Sequence, residues 1–170
     1  MGLPIKFNNV HYYRIAGRYT FAGDLFITRG VIYFFPEVDL AQQREEVSRF
    51  MPHDIALVVS MATYLIQKVR CPYGPNNHLW KEGITDVQFK ERADACITQL
   101  DAYRRTQAFR ESLPLPTRVE ANEISNLKLG MAGRLSFFAQ SDTHDFNIGL
   151  IGKRRLRDAL WESGICNVGR

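Results

Sequence analysis

Apolar and polar residues alternate most clearly in residues 23–35, GDLFITRGVIYFF, and this pattern predicts a β-hairpin. With Arg29 and Gly30 as the tight turn, Thr28 falls opposite Val31 and the earlier residues pair in the same register. One face of the pair then carries four apolar side chains: Leu25, Ile27, Ile32 and Phe34. The other face is also largely apolar: Phe26, Thr28, Val31 and Tyr33. We therefore expect the hairpin to form the centre of a small β-sandwich or open barrel.

Two further features of the first 36 residues predict a three-stranded unit. Residues 12–21, YYRIAGRYTF, are rich in aromatic side chains and predict a first strand with a bulge at Gly17. Residues 22–24 then form a turn into the hairpin. Pro36 ends the third strand, because proline has no amide hydrogen to donate to a neighbouring strand.

The pattern becomes helical after Pro36. Residues 39–50 and 54–70 predict two helices, and the wide apolar stripe of the second predicts that it is mostly buried. A loop follows at residues 71–83, and Thr85 with Gln88 forms a capping box before a helix that runs to about Arg110. We expect these helices to place their apolar stripes on the second face of the hairpin, which carries Phe26, Val31 and Tyr33.

The β pattern returns at Thr117. Four short strands are predicted at residues 117–121, 124–129, 134–140 and 143–148, with a hairpin turn at residues 130–133 that requires no ligand. Residues 153–163 predict an amphipathic closing helix, which Gly164 caps. The predicted fold class is therefore α+β, with a seven-stranded antiparallel sandwich or open barrel, a helical insertion after the third strand and a C-terminal helix.

This arrangement of elements resembles a pleckstrin-homology-like (PH-like) domain of the GRAM or bacterial PH type. The hairpin GDLFITRGVIYFF is similar to the second and third strands of that family, and VEANEISNLKLGMAGRLSFFAQSDTHDFNIG resembles its last four strands. KRRLRDALWESG resembles its closing helix, with Trp161 as the counterpart of the family's helix tryptophan. The resemblance implies one domain over residues 1–170, in which residues 10–36 and 117–166 form the barrel and residues 37–116 the insertion.

Members of that family bind phosphoinositides, peptides or partner proteins, and some assemble into oligomers. The resemblance implies that a lipid site would have basic residues around the first two strands, where Arg14 and Arg18 stand. The predicted loop at residues 21–24, however, has an acid, Asp24, and no base. A phosphate site needs several convergent donors, so this loop disfavours a lipid ligand.

Composition and charge restrict the classes of partner. The chain has 170 residues, a net charge of +4 and a pI near 9.1, but its bases are interleaved with acids, so we expect no nucleic-acid partner. The three cysteines (Cys71, Cys96 and Cys166) have no repeated spacing, which predicts a reducing compartment. No signal-peptide pattern or apolar run of about 20 residues is present, so we expect a soluble, cytoplasmic protein, with peripheral membrane association left open.

Few residues suggest chemistry. Ser141, His144 and Asp145 are the types found in hydrolytic triads, but they share one turn and strand, and alternation directs His144 and Asp145 to opposite faces. No paired metal ligands, phosphate loop or nucleotide motif appears, so we expect no cofactor and no enzymatic activity. Trp80, in a loop rich in Pro, Gly and Asn, either anchors a partner or packs against the helical insertion.

We therefore expect a non-enzymatic module that binds a protein partner or acts as a scaffold, with self-association into a homo-oligomer left open. The alternative is a peripheral membrane module that contacts anionic headgroups through six bases: Arg14, Arg18, Lys153, Arg154, Arg155 and Arg157. The four bases at residues 153–157 are also explained as a solvated helix face, which is the favoured interpretation. An enzyme is a third alternative, but no group of residues supports it.

Overall fold

Seven antiparallel strands form one sheet in the computed structural model, which describes residues 2–14, 19–40, 61–67, 79–106 and 116–166. The strands are β1 (Ile5–Arg14), β2 (Tyr19–Thr28), β3 (Val31–Asp39), β4 (Thr117–Glu120), β5 (Ser125–Leu129), β6 (Arg134–Ala139) and β7 (Asp142–Asn147). Their order in the sheet is β4-β3-β2-β1-β7-β6-β5. The helices are α1 (residues 61–67), α2 (Asp86–Thr106) and α3 (Lys153–Glu162). The predicted α+β class, with an open antiparallel sheet, a helix after the third strand and a closing helix, is confirmed.

The β2–β3 hairpin has the predicted register. Thr28 pairs with Val31, Phe26 with Tyr33 and Leu25 with Phe34. Gly30 occupies the turn with φ of +73°, a conformation that glycine adopts at little cost. Both faces of the hairpin are buried, as the pattern predicted, and they belong to two separate apolar clusters.

The inner cluster lies between the inward faces of the strands and α3. Directly opposed strand residues share a face, and the inward positions of these strands are apolar apart from the buried His144 of β7. The two runs of β sequence thus meet in one core, which α3 closes. Its fully buried members include Val10, Leu25, Ile27, Ile32, Val119, Leu135, Phe146, Leu156 and Ala159. Trp161, the predicted counterpart of the family's helix tryptophan, is exposed on the other side of α3.

The prediction for the first strand is wrong. Residues 12–21 span the end of β1 and the beginning of β2, and Arg14 pairs with Tyr19 across the reversal. The aromatic pattern continues through both strands, so periodicity alone does not mark the reversal. β1 also begins earlier, at Ile5, because its register shift between Phe7 and Val10 accommodates the polar residues Asn8 and Asn9 within the strand.

The predicted turn at residues 22–24 and the predicted strand end at Pro36 are also wrong. Residues 22–24 lie within β2, and Gly23 pairs with Pro36 beside a register shift. A Cβ atom on Gly23 would lie 2.1 Å from the carbonyl oxygen of Phe35, so glycine allows β3 to approach closely here. Pro36 is tolerated at this bulge, and β3 continues to Asp39. The segment between β1 and β2 is residues 15–18, which include the predicted bulge at Gly17 and lie outside the described residues. Asp24 is not part of that segment, so it no longer argues against a lipid ligand there.

Helix α2 covers the outer face of the hairpin, as predicted. Its capping box is formed by two backbone-to-side-chain hydrogen bonds of 3.3 Å between Thr85 and Gln88. Phe89 and Ala93 are fully buried against Phe26 and Tyr33, and the ring centroids of Phe89 and Phe26 are 4.6 Å apart. The structure describes the helix as far as Thr106; residues 107–115, which include the predicted end near Arg110, lie outside the described residues.

Of the two other predicted insertion helices, the structure describes only residues 39–40 and 61–67 (α1); residues 41–60 and 68–78 lie outside the described residues. Asp39 is the last residue of β3 and Leu40 is helical. Residues 61–67 are helical, but Leu65 and Ile66 are exposed, so the prediction of a mostly buried helix is wrong for this part. The reason is that α2 already occupies the apolar outer face of the hairpin. α1 instead makes polar contacts: the Tyr64 hydroxyl donates to Asn9, and the Asp39 amide donates to Gln67.

The turn at Gly30 joins three elements. The amide of Gly30 donates to the carbonyl of Ser163 after α3 at 2.9 Å, and its carbonyl accepts from the amide of Ala121 at 2.8 Å. The amide of Arg29 donates to Asp86 in the first turn of α2 at 3.1 Å. These bonds fix the ends of α2 and α3 to the same point of the sheet.

Candidate functional site

Helix α2 covers one half of the outer face of the sheet, which we call the covered half. A polar contact fixes α2 there. The Tyr33 hydroxyl donates to Asp94 of α2 at 2.9 Å, and Arg118 Nε donates to the same carboxylate oxygen at 3.1 Å. The guanidinium carbon of Arg118 lies 6.0 Å from the centre of the Tyr33 ring. Burial, and then the hydrogen bond to Asp94, raises the pKa of Tyr33 well above its ordinary value of 10.0. This half of the face is therefore occupied by the chain itself.

The raised pKa of Tyr33 predicts a pH dependence of stability. The folded protein retains the phenol proton where the unfolded chain loses it, so this stabilisation is present below pH 10.0 and decreases as the pH rises above it. Tyr33→Phe removes the hydrogen bond, at about 1 kcal/mol near neutral pH, and also removes this titration. We expect urea unfolding between about pH 8 and 11 to show that the unfolding free energies of the unaltered protein and of Tyr33→Phe become more similar as the pH rises. A constant difference would contradict the expectation.

Trp80 lies at the edge of the covered half. Its ring centroid is 5.8 Å from that of Phe26 and 6.3 Å from that of Phe89, and its side chain is partly buried. The ring thus packs against the sheet and α2, as one of the two interpretations expected. Its use as a partner anchor stays a prediction.

Helix α2 does not cover the other half of the outer face, on β5, β6, β7 and β1, which we call the open half. Ser136 pairs with Asp145, and Asp145 pairs with Tyr13, so these three residues share the outer face. Phe138 points the same way, two residues further along β6. Tyr13 is 38% exposed and Phe138 is 44% exposed. From strand spacing and rise, these two aromatic residues are about 12 Å apart.

An ion pair lies between these aromatic residues. Arg134 Nε donates to both carboxylate oxygens of Asp145 at 2.8 Å, and a terminal guanidinium nitrogen makes a further hydrogen bond to it. The Asp145 side chain is 2% exposed, whereas that of Arg134 is 63% exposed. The hydrogen bond to Asp145 raises the pKa of Arg134. A buried carboxylate therefore holds an exposed guanidinium in a fixed orientation on the open half.

The three residues considered for a hydrolytic triad do not converge. His144 Nδ1 is 3.0 Å from the Tyr12 hydroxyl, and its ring stacks against Phe137 inside the barrel. Asp145 binds Arg134 on the outer face. His144 and Asp145 thus lie on opposite faces of β7, as alternation predicted.

Four of the six candidate bases lie on α3, and Arg14 lies at the end of β1. Lys153, Arg154, Arg155 and Arg157 lie on α3, where the guanidinium carbon of Arg155 is 5.3 Å from the centre of the Phe7 ring and Arg157 Nε is 3.4 Å from Asp158. Arg14 ends β1, about 23 Å of extended strand away from Phe7. Arg18 and the side chain of Arg14 lie outside the described residues. The structure does not bring Arg14 to the bases of α3.

Two exposed apolar residues beside α3 were missed by the sequence analysis. Met131 in the β5–β6 turn is 88% exposed, and Leu150 in the β7–α3 connection is 74% exposed. The two segments touch: the amide of Ile148 donates to the carbonyl of Gly133 at 3.1 Å, and a Cβ atom on Gly133 would lie 2.2 Å from the oxygen of Gly149. The available signal was a similar pattern in both segments, with an apolar residue between glycines followed by a base.

The described residues contain neither a candidate membrane-spanning helix nor a candidate metal site. No helix there is long and apolar enough to cross a bilayer, and no three His, Cys, Asp or Glu side chains are grouped as metal ligands. His53, Cys71 and His78 lie outside the described residues. Comparison of the chain with protein-family models, curated proteins and solved structures found no match.

Proposed function

We propose that this chain is a PH-like domain of the GRAM or bacterial PH type and acts as a non-enzymatic, cytoplasmic module that binds a protein partner. The strand order β4-β3-β2-β1-β7-β6-β5 and the closing helix support the PH-like assignment. α3 crosses one end of the barrel, from the contact of Arg155 with Phe7 to the contact of Ser163 with Gly30. The helical insertion after β3 is the feature that distinguishes this chain from the plain family arrangement.

The observation that carries the proposal is the composition of the open half of the outer face. Tyr13, Phe138 and Arg134 are of the residue types enriched at protein interfaces, where aromatic and arginine side chains contribute most of the binding free energy. Asp145 holds Arg134 in place, which lowers the conformational entropy lost on binding. The chemistry suits a folded protein that presents apolar side chains with a carboxylate for Arg134.

The insertion restricts where such a partner binds. α2 covers the outer faces of β2 and β3, and the Tyr33–Asp94–Arg118 contact fixes it there. A partner therefore has access to the open half, and Trp80 lies at the edge of the covered half. In this proposal α2 restricts partner binding to the open half, because it covers the other half of the outer face.

Site-specific crosslinking tests the proposal. A photoreactive benzoylphenylalanine at position 138 of the full chain should give one discrete product in a lysate of the source cells. The same residue at position 99, exposed on α2, is the matched control and should not give it. Tyr13→Thr should lower the yield at position 138 about ten-fold or more, which is the loss expected for an interface hot spot. Arg134 is left intact, because its removal would leave a buried carboxylate unpaired.

The products distinguish the outcomes. A product that contains another protein supports the proposal, and a product of two copies of this chain assigns the open half to self-association. Equal products from positions 138 and 99, or a yield unaffected by Tyr13→Thr, would overturn it.

The bases of α3 favour a second candidate function, a peripheral membrane module. The structure separates these bases from Arg14, so a single lipid site made of all six predicted bases does not form among the described residues. The predicted bases whose side chains the structure describes lie on α3, and this is the end of the barrel where we place a membrane contact.

A further inference from the structure

We propose that the end of the barrel where residues 130–133, residues 149–152 and the first turn of α3 meet docks onto an anionic membrane surface. We call this region the loop-tip surface; its residues are Met131, Leu150, Arg154 and Arg155, which are exposed, and Lys153, which is half-buried. The inference does not rest on the protein-binding proposal, because the two use different parts of the molecule. It specifies the contact that the membrane alternative requires.

The first argument is the exposure of apolar side chains on two loops that touch. Met131 and Leu150 are 88% and 74% exposed, and their loops meet through Gly133 and Gly149. Single exposed apolar residues are common on soluble proteins, but here two of the most exposed ones lie on neighbouring loops at one end of the sheet. Side chains of this type enter the boundary between lipid headgroups and acyl chains, where apolar surface leaves water.

The second argument is the charge around these tips. Residues 126–134, NLKLGMAGR, and residues 147–155, NIGLIGKRR, contain five bases and no acid, and of these bases Arg134 pairs with Asp145. Within the described part of the chain, no carboxylate pairs with Lys153, Arg154 or Arg155, and the first turn of α3 has no acid. Bases at a helix start are disfavoured by the helix dipole, so this arrangement costs stability unless anions bind there. Apolar tips flanked by unpaired bases match a surface of phosphate and serine headgroups.

The third argument is that the loops are held in shape. The amide of Gly130 donates to the carbonyl of Arg134 at 2.7 Å, and the amide of Gly149 donates to Asn147 Oδ1 at 3.0 Å. The three bases occupy successive positions of one helical turn and do not surround a pocket. We therefore expect binding that depends on the charge density of the membrane and does not select one headgroup.

Vesicle cosedimentation of the full chain tests this inference. The chain should bind vesicles of phosphatidylcholine and phosphatidylserine, bind weakly to phosphatidylcholine alone, and dissociate as salt is added. The double variant Lys153→Gln with Arg154→Gln should bind about 30-fold more weakly, since each base near an anionic surface is worth about five-fold. Met131→Ser with Leu150→Ser should weaken binding about ten-fold or more. Arg155 is kept because it packs on Phe7.

Matched controls separate this surface from general charge and from the open half of the sheet. Arg92→Gln removes one charge from the exposed side of α2, and Phe138→Thr changes the proposed protein-binding face. Both variants should bind vesicles as the unaltered chain does. Crosslinking at position 138 should persist in the Met131→Ser and Leu150→Ser variant, so the two proposals can fail separately.

Three outcomes would overturn the inference. One is equal binding to neutral and anionic vesicles, and another is an equal loss in Arg92→Gln. The third is that sedimentation velocity without lipid shows Met131→Ser and Leu150→Ser converting a dimer to a monomer, which would assign the tips to contact between copies of the chain.

Discussion

Replacing Gly23 with alanine should lower the free energy of unfolding by about 3 kcal/mol or more, a large effect for one methyl group. A Cβ atom at residue 23 would lie 2.1 Å from the oxygen of Phe35 and 2.8 Å from the Cα of Pro36. Both are backbone atoms of β3, so no side-chain rotation relieves the clash. β2 and β3 would have to separate at the register shift, in the middle of the hairpin that both apolar clusters share. Urea unfolding followed by tryptophan fluorescence measures the loss.

Gly83→Ala is the matched control for this variant. Gly83 has φ of +79° but no atom within 4 Å of the Cβ position, so its replacement costs only backbone strain, about 1 kcal/mol. Similar losses in the two variants would show that β3 is not closely packed on residue 23, and would contradict the steric explanation.

Replacing Phe89 with alanine should detach α2 from the sheet. Phe89 is fully buried, and its ring contacts those of Phe26, Tyr33 and Trp80 at centroid distances of 4.6, 5.8 and 6.3 Å. Loss of this side chain costs about 3–5 kcal/mol, because the flat face of the sheet cannot close around the cavity. The cost falls on the docking of α2, so amide hydrogen exchange should accelerate in α2 and change less in β6 and β7.

Val87→Ala provides the comparison within the same helix. Val87 is one of the exposed hydrophobic side chains in the first turn of α2, so its truncation should change the exchange rates of α2 by little. If Phe89→Ala left the exchange of α2 unchanged, other contacts, such as that of Asp94 with Tyr33 and Arg118, would have to hold the helix.

The hairpin register could be predicted from the sequence because two constraints agreed. A turn at Arg29 and Gly30 placed apolar residues opposite one another on both faces, and a shift by one residue would have exchanged the faces. The capping box of α2 was predictable for a similar reason, since Thr85 and Gln88 satisfy each other's backbone amides locally. Local chemistry fixed these elements.

The features that the sequence did not reveal depend on contacts between distant segments. Gly23 resembles a turn residue until β3 is placed against it, and Pro36 resembles a strand end until the bulge is known. The apolar stripe of α1 predicted burial, but α2 occupies the face that it would need. Likewise the loops that carry Met131 and Leu150 are neighbours because Gly133 and Gly149 touch. Periodicity describes one segment at a time and contains no information on such competition or proximity.

The position of β1 between β2 and β7 has a consequence for synthesis on the ribosome. His11 pairs with Ala22 soon after both are made, but its other neighbour, Asn147, follows it by most of the length of the chain. A nascent chain that has completed β1, β2 and β3 therefore exposes two unpaired strand edges, that of β3 until β4 emerges and that of β1 until β7 emerges, and its inner apolar face stays uncovered until α3 is made. During that interval the exposed edges can pair with strands of a neighbouring nascent chain.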